Sequence, residues 1–297
     1  MELYEPLKMK IQMRKTNNFS GTILLLNLVI MMNMTDLLPA VAQDSDYETE
    51  QDSTSFFVQD AKHFLEVGFG LLISPFYFDN GDWTKTGSAI AGTALLFTVD
   101  KNIKPFALRN QNKLNDNIFN LDSYYGNEYS VILAWGIYGY GALTDNNRVR
   151  KVGLNAVEAF IYSGAITGAL KLIIGRRRPY AGDDHLFWRP FQFTNTDYQS
   201  LPSGHTTVSF AVSTVLAKSV DNSLWKTFWY GTAGLVGASR IYHNKHWLSD
   251  VFLGGVIGYI VGDFVIGFDR NEQPRLFGKR IQPYLGPRMI GLLVYTN

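Results

Sequence analysis

The sequence contains no cysteine, which excludes disulfide bonds, cysteine-ligated zinc, iron–sulfur clusters and a cysteine nucleophile. It also lacks an excess of charge of either sign, because 27 basic and 26 acidic residues give a formal net charge of +1. Nucleic-acid binding needs a basic face, so we expect no nucleic-acid partner. Apolar residues are plentiful: 46% of the 297 residues are hydrophobic and 18% are charged, enough for one medium-sized domain with a buried core.

Residues 1–42 have the order of a secretory signal peptide. Basic residues precede an apolar run from Ile23 to Met32, and Ala40-Val41-Ala42 then gives way to polar residues. We therefore expect cleavage after Ala42 and export to the periplasm, or to a membrane with the functional site facing the periplasm. An uncleaved anchor is the alternative, but the run is short for a bilayer of about 30 Å. Residues 43–60 are predicted to be an acidic linker, because Asp44 to Asp52 contain five acids and no base.

The rest of the chain predicts an all-α fold with about six core helices. Seven apolar segments exceed typical strand length and lack period-two alternation, which favours helices. These segments cover residues 64–78, 86–99, 129–143, 154–174, 206–216, 227–239 and 251–268. They divide the chain into N-terminal helices (61–151), a core (152–268) and a C-terminal tail (269–297). The tail ends in a strand-favouring stretch at 292–295.

Hydropathy leaves membrane insertion open. Among the predicted helices, the longest apolar segment without a charge is about Tyr129 to Thr144, which falls short of the 18 residues that predict a transmembrane helix. A mean hydropathy of −0.04 is typical of a soluble or peripheral protein. Six spans can still be threaded so that the basic loops at 145–151 and 218–226 and the 270–280 segment lie inside, as the positive-inside rule prefers.

The first of three polar motifs runs from Lys171 to Pro179 and contains Arg176, Arg177 and Arg178. Helix positions seven apart lie on nearly the same face, so Lys171 and Arg178 can present two cations to one anion. Pro179 would then end or redirect the helix. The alternative is a solvated basic helix end whose arginines complement the helix dipole.

The second motif is Pro202-Ser203-Gly204-His205, immediately before an apolar run. Ser203 or Pro202 would begin a helix whose free N–H groups point outward, and Gly204 would let an anion approach the backbone. The motif predicts a phosphate cradle with the imidazole of His205 beside it. An ordinary serine N-cap is the alternative.

The third motif begins at Ser239-Arg240 and ends with His246 and Asp250. The last two are four residues apart, the helical spacing at which a carboxylate can accept a hydrogen bond from one imidazole nitrogen and leave the other as a nucleophile. The alternative is an exposed i, i+4 ion pair. His243 and Lys245 do not fit this spacing and are interpreted as neighbours.

Together these motifs read K-x6-R-P, P-S-G-H and S-R-x5-H-x3-D, which resembles the signature of the type 2 phosphatidic acid phosphatase (PAP2) superfamily. That superfamily includes bacterial acid phosphatases and vanadium haloperoxidases. Every signature position is filled, and the similarity covers about residues 152–268. The resemblance implies a helical bundle of the PAP2/haloperoxidase type and a phosphoric ester hydrolase.

The resemblance also implies roles for individual residues. His246 would attack phosphorus to form a phosphohistidine, Asp250 would fix its tautomer, and His205 would be the general acid. The implied phosphate-binding residues are Lys171, Arg178, Ser203, Gly204 and Arg240. Three fixed cations and a helix N-terminus can stabilise the transferring phosphoryl group, so we predict no metal and no other cofactor.

The assigned roles predict how the activity depends on pH. His246 must be neutral and His205 protonated, which gives a bell-shaped rate profile. The anion pocket should raise a histidine pKa, and Asp250 should raise the pKa of His246, so we expect an optimum on the acidic side of neutral.

The substrate is predicted only as a class, a phosphorylated lipid or small molecule. Phosphatidic acid, phosphatidylglycerol phosphate, undecaprenyl diphosphate and lipid A phosphate are the lipid candidates. An aromatic loop at residues 185–191 either flanks the pocket and holds a lipid tail or packs on the bundle. A vanadate-dependent haloperoxidase and a non-catalytic lipid-binding membrane protein are the alternative functions. A membrane partner is expected, peripheral or integral, and nothing in the sequence indicates an oligomeric state.

Overall fold

The computed structural model describes residues 55–269, 275–276, 279–286 and 289–295. Within these residues eight α-helices form the predicted all-α bundle. They are α1 (Phe56–Ile73), α2 (Asn80–Arg109), α3 (Lys113–Phe119), α4 (Glu128–Leu143), α5 (Asn147–Ile174), α6 (Gly204–Lys218), α7 (Ser223–Tyr242) and α8 (Leu248–Asp269). The predicted signal peptide and most of the acidic linker lie outside the described residues.

The C-terminal tail adds a small antiparallel sheet to the bundle. Its strands are β1 (Arg275–Leu276), β2 (Lys279–Gly286) and β3 (Met289–Tyr295), in that order. Ile281 of β2 pairs with Val294 of β3. The strand-favouring end at 292–295 therefore lies in β3.

Short polar side chains determine where five of the helices begin. In each case the side chain of the capping residue accepts a hydrogen bond from a backbone N–H in the first turn, which would otherwise have no partner within the helix. The capping residues are Asp79, Asn112, Asn127, Asn146 and Asn222.

Several boundaries differ from the predictions. α5 begins at Asn147, seven residues before its predicted start, so the predicted division between residues 151 and 152 falls inside this helix. α1 begins at Phe56, so the predicted end of the linker at residue 60 is wrong. Asp60 is buried and forms an ion pair with Arg150, whereas a solvated linker would leave it exposed. α2 extends to Arg109, well beyond the predicted end at residue 99, even though it contains Pro105. The polar residues after position 99 interrupted the apolar pattern, but tertiary contacts keep them helical.

The centre of the bundle is α6, which packs against α5, α7 and α8. Eleven of its 15 residues are buried. Close approach of α8 is possible because Gly254, Gly258 and Gly262 face α6 at four-residue spacing. A Cβ at Gly258 would lie 2.2 Å from the carbonyl oxygen of Thr207, so only glycine fits there. This contact fixes the start of α8 relative to the start of α6.

Two helices of the described part are long and apolar enough to cross a membrane, namely α5 and residues 248–268 of α8. No uninterrupted apolar run in the sequence is long enough to predict either of them. The structural helices also include flanking residues and isolated charges.

Candidate active site

The first motif lies across the end of α5, with Lys171 in the last helical turn. The helix stops at Ile174 because Gly175 adopts a left-handed conformation (φ 64°), and a Cβ there would lie 2.1 Å from the carbonyl oxygen of Arg189. Arg178 therefore lies in the following loop, and the predicted seven-residue helical stacking with Lys171 is wrong. The two side chains nevertheless lie close enough to interact electrostatically.

The second motif begins α6 as predicted, with Ser203 as the N-cap. The Ser203 side chain does not cap the helix; its Oγ accepts a hydrogen bond from Thr206 Oγ1 at 2.9 Å. The first backbone N–H groups of α6 are thus left to an anion. A Cβ at Gly204 would lie 3.7 Å from Cε of Lys171, so the helix N-terminus and this lysine border the same space.

The third motif spans the end of α7 and the start of α8. Arg240 lies in the last turn of α7, and Asp250 lies in the first turn of α8. His246 precedes α8, so the predicted helical i, i+4 stacking is wrong. The two residues still approach each other, with His246 Nδ1 3.5 Å from Asp250 Oδ2. Both side chains are buried.

Asp250 is held mainly by groups other than the histidine. Its Oδ2 accepts hydrogen bonds from Ser200 Oγ and from the backbone N–H of Trp247, the latter at 2.9 Å. Its Oδ1 accepts one from Arg176 at 2.7 Å. His246 Nδ1 is buried and has no hydrogen-bond partner among the described residues. The predicted carboxylate–imidazole hydrogen bond is therefore an ion-pair contact at 3.5 Å here, a length that can shorten when substrate binds.

Electrostatic contacts join all three motifs around the two histidines. Burial, with added repulsion from Arg240, Arg178 and Lys171, lowers the pKa of His205 to about 3. Burial and the same three cations, with His205, lower the pKa of His246 well below its usual range. The predicted increase in histidine pKa is thus wrong for the protein alone. A phosphate dianion among the cations would raise the pKa of both histidines.

Two aspartates from the N-terminal helices also reach the site, and the sequence analysis identified neither. Asp122, in a 3₁₀ turn after α3, forms a buried ion pair with Arg240. Asp100 of α2 forms a buried ion pair with Arg176 at 2.8 Å. Each is a single carboxylate far from its partner in sequence, so no local spacing reveals it. Arg176 is fully buried, which rules out the alternative of a solvated helix end for this residue.

The assembled site combines three cations, a helix N-terminus and two histidines. Lys171 Nζ donates to the carbonyl oxygens of Gln199 and Ser200, at 2.6 and 3.3 Å, which directs it along the loop before α6. Such a ring of donors matches the oxygens of a phosphoryl group. Within the described residues no group of three or more His, Asp or Glu side chains could hold a metal ion. Metal independence remains a prediction.

The aromatic loop between the first two motifs packs partly on the bundle, as one of the two predicted arrangements has it, and leaves other rings exposed. Trp188 packs edge-on against Phe97 of α2, with ring centroids 5.7 Å apart, so part of the loop lies on the bundle. Phe191 and Phe193 are 63% and 71% exposed. Backbone hydrogen bonds hold this loop against the end of α5, including one from Phe191 N–H to the carbonyl oxygen of Leu172.

Comparison with known proteins finds similarity in the region that contains these features. Residues 153–273 match the model of the PAP2 superfamily. The lipid A 1-phosphatase of Porphyromonas gingivalis is 26% identical over 179 residues, covering 59% of this chain and 36% of that protein. The undecaprenyl-diphosphatase of Sulfolobus acidocaldarius is 28% identical over 162 residues, covering 53% of this chain and 73% of that protein.

A solved structure is also similar, the transmembrane PAP2-type phosphatidylglycerolphosphate phosphatase of Bacillus subtilis. It is 21% identical, with a TM-score of 0.45, and the match covers 71% of this chain and 96% of the other. The chain spans about a third of the length of the lipid A 1-phosphatase. The matched region contains all three motifs in their signature order. Residues 153–273 of this chain are thus similar in sequence to the PAP2 superfamily.

Proposed function

We propose that this protein is a lipid phosphate phosphatase that works through a phosphohistidine intermediate without a metal. The observation that carries the proposal is the convergence of Lys171, Arg178 and Arg240 on two histidines, His205 at the start of α6 and His246 just before α8. Phosphoryl transfer depends mainly on positioning and on donors around the equatorial oxygens. The relatives named above, all phosphatases of phosphorylated lipids by name, support the same reaction.

The geometry assigns the chemical steps as follows. Nδ1 of His246 faces Asp250, so Nε2 carries the lone pair that attacks phosphorus. The P–N bond forms as the P–O bond to the leaving group breaks, and His205 donates its proton to the departing alkoxide. Water then attacks the phosphohistidine and His205 takes its proton. The P–N bond breaks, its electron pair returns to His246 Nε2, and inorganic phosphate leaves. Because His205 is neutral near pH 7 in the protein alone, the dianionic substrate must raise its pKa for the first step.

Exposed apolar side chains beside the site favour a lipid substrate over a soluble one. The loop before α6 exposes Leu186, Phe187, Trp188, Phe191 and Phe193. Clustered exposed aromatic residues are typical of surfaces that contact lipid or a partner. Arg177 lies over the ring of Phe187 at 4.5 Å, which adds a cation suited to anionic headgroups.

The helices give further support for a membrane location. In the most apolar windows of α5 and α8, only 28% and 33% of the residues are buried within the protein. Apolar helix faces that do not pack on protein are suited to lipid. We propose that the protein is membrane-associated, and that the export predicted from residues 1–42 places the active site in the periplasm.

The first experiment measures phosphate release from phosphatidic acid in detergent micelles and from a soluble aryl phosphate, with EDTA present. We expect activity in the wild type and its loss in His246→Gln and His205→Gln. His63→Gln is the matched control, because His63 lies in α1 and pairs with Glu158. Trapping of a phosphorylated protein by wild type alone would identify the intermediate. Full activity of His246→Gln, or loss of activity with EDTA, would contradict the mechanism.

A second experiment tests the lipid assignment. The double variant Phe191→Ser, Phe193→Ser should lower activity on phosphatidic acid about 30-fold relative to the soluble substrate, since two exposed rings each contribute on the order of 1 kcal/mol of lipid contact. Phe76→Ser is the control, because Phe76 is also exposed, at 81%, but follows α1. An unchanged ratio between the two substrates would count against lipid recognition by this loop.

A further inference from the structure

We propose that Asp100 and Arg176 are positioning residues for the phosphoryl transfer: Asp100 fixes Arg176, and Arg176 orients Asp250 toward His246. This inference rests on the proposed phosphatase function. Arg176 lies within the first motif but not at one of its signature positions. Asp100 lies outside the region that matches the family model. We call Asp100, Arg176 and Asp250 the relay. It connects the N-terminal helices to the nucleophile His246.

Arg176 is the centre of the relay, and its side chain is completely buried. A guanidinium has five N–H donors, and five short contacts accept them. Nη1 donates to Ser249 Oγ and Asp250 Oδ1 at 2.6 and 2.7 Å, Nη2 to Asp100 Oδ2 and the carbonyl oxygen of His185 at 2.8 Å each, and Nε to that carbonyl at 2.9 Å. With every donor used, the guanidinium has one orientation.

Aromatic rings reinforce that orientation. The guanidinium carbon of Arg176 lies 4.6 Å from the ring centroid of Phe97, 5.4 Å from that of Trp188 and 5.6 Å from that of Trp247. Phe97 and Asp100 are three residues apart and thus on one face of α2. One helix face therefore supplies both a cation–π partner and a counterion to the same arginine.

Asp100 is itself fixed by α8. Its Oδ1 accepts a hydrogen bond from the backbone N–H of Ser249 at 3.0 Å, and its Oδ2 accepts one from Ser249 Oγ. A carboxylate at the first turn of a helix is stabilised by the helix dipole. Asp100 and Asp250 therefore both accept hydrogen bonds from backbone N–H groups at the start of α8, and Arg176 lies between the two carboxylates.

The charges explain why this arrangement serves catalysis as well as stability. Two carboxylates and one guanidinium, all with fully buried side chains, sum to one negative charge. His246 becomes cationic when it attacks phosphorus, and the nearest charge on the relay side is Asp250. The other ionisable groups that face His246 are Lys171 of α5, Arg178 of the loop, His205 of α6 and Arg240 of α7. All of these oppose a positive imidazole, so the relay supplies the compensating charge.

The test compares Asp100→Asn with Asp60→Asn in the full-length protein. Both remove a buried, ion-paired carboxylate, but Asp60 pairs with Arg150, which lies 21 residues before Lys171 on α5, or about 30 Å along the helix. We expect both variants to melt at lower temperature. Asp100→Asn alone should lower kcat roughly 10²-fold with KM nearly unchanged, because misplacement of the nucleophile affects the chemical step.

The pH profile gives a readout that a purely structural role would not move. A unit charge about 10 Å away, at an effective dielectric constant of about 20, changes a pKa by about 1. Without the negative charge of Asp100, the positive charge of Arg176 is less compensated and lowers the pKa of His246. The acidic limb of the pH profile of kcat should therefore move about one pH unit lower. Asp60→Asn should leave that limb in place. A folded Asp100→Asn variant with normal kcat and an unmoved limb would overturn the inference.

If Asp100→Asn fails to fold, Ser249→Ala decides the question. That change removes one hydroxyl shared by Asp100 and Arg176 and keeps every charge. We expect a smaller loss in kcat, about tenfold, at constant KM, because the other hydrogen bonds of Asp100 and Arg176 remain. Unchanged kcat would reject the relay. Absence of activity in the wild type itself would instead reject the proposed function.

Discussion

The ion pair between Asp122 and Arg240 allows a graded prediction about phosphate binding. Both side chains are nearly buried, with 5% and 12% exposure, so solvent screens the pair only weakly. A hydrogen bond to a charged group contributes about 1.5–3 kcal/mol, roughly twice the value of a neutral one. Asp122→Asn keeps a neutral acceptor and should lose about 1.4 kcal/mol, a tenfold decrease in kcat/KM. Asp122→Ala removes the acceptor and should lose about 3 kcal/mol, roughly a hundredfold.

The assay is steady-state hydrolysis of phosphatidic acid, with inhibition by inorganic phosphate measured in parallel. Asp116→Asn is the control, because Asp116 lies in the same segment and accepts a hydrogen bond from Tyr242 at 2.8 Å. We expect weaker phosphate inhibition in both Asp122 variants and none of these changes in the control. The opposite result, tighter phosphate binding at unchanged kcat, would refute the reasoning. It would show that Asp122 merely neutralises Arg240 and does not orient it.

Two further predictions concern stability. The pKa values of His205 and His246 are lower in the folded protein than the unfolded value of about 6.5, so the folded state binds fewer protons. The free energy of unfolding should be largest above pH 6.5 and should fall at lower pH, by up to about 1.4 kcal/mol per pH unit for each histidine. Saturating phosphate should make this pH dependence weaker in thermal unfolding. A melting temperature independent of pH between 4 and 7 would contradict the shifts. Gly175→Ala should lower the free energy of unfolding by about 1–3 kcal/mol, since its φ of 64° and the nearby carbonyl of Arg189 exclude a side chain. Gly168→Ala, in open space on the same helix, should leave stability equal or higher, and equal losses in the two variants would refute the steric argument.

The sequence predicted the helices and the motif residues well because both are local patterns. Apolar segments without strand periodicity gave the bundle, and the structure brings the motif cations and histidines together. The local geometry was less predictable. His246 precedes α8 and Arg178 follows α5, so both pairs meet through loops and not through helical spacing. Gly175 was the available sequence signal for the end of α5, because glycine is common just after a helix.

The aspartates were beyond the reach of pattern analysis for a physical reason. Asp100 and Arg176 are 76 residues apart, and Asp122 and Arg240 are 118 residues apart. Neither residue type nor spacing distinguishes such carboxylates from solvated ones. Only the packing of α2 and of the turn after α3 against the core determines their partners.

The buried guanidinium has a consequence for the order in which the chain can mature. Arg176 needs Asp100 before it in the chain and Ser249 and Asp250 after it, and Asp100 needs Ser249, 149 residues further on. A nascent chain that has not yet reached residue 250 holds this arginine without two of its acceptors. Contacts of such long range form late in folding. The proposed catalytic site can therefore form only after nearly the whole helical bundle has been synthesised, and we expect shorter translation products to be inactive.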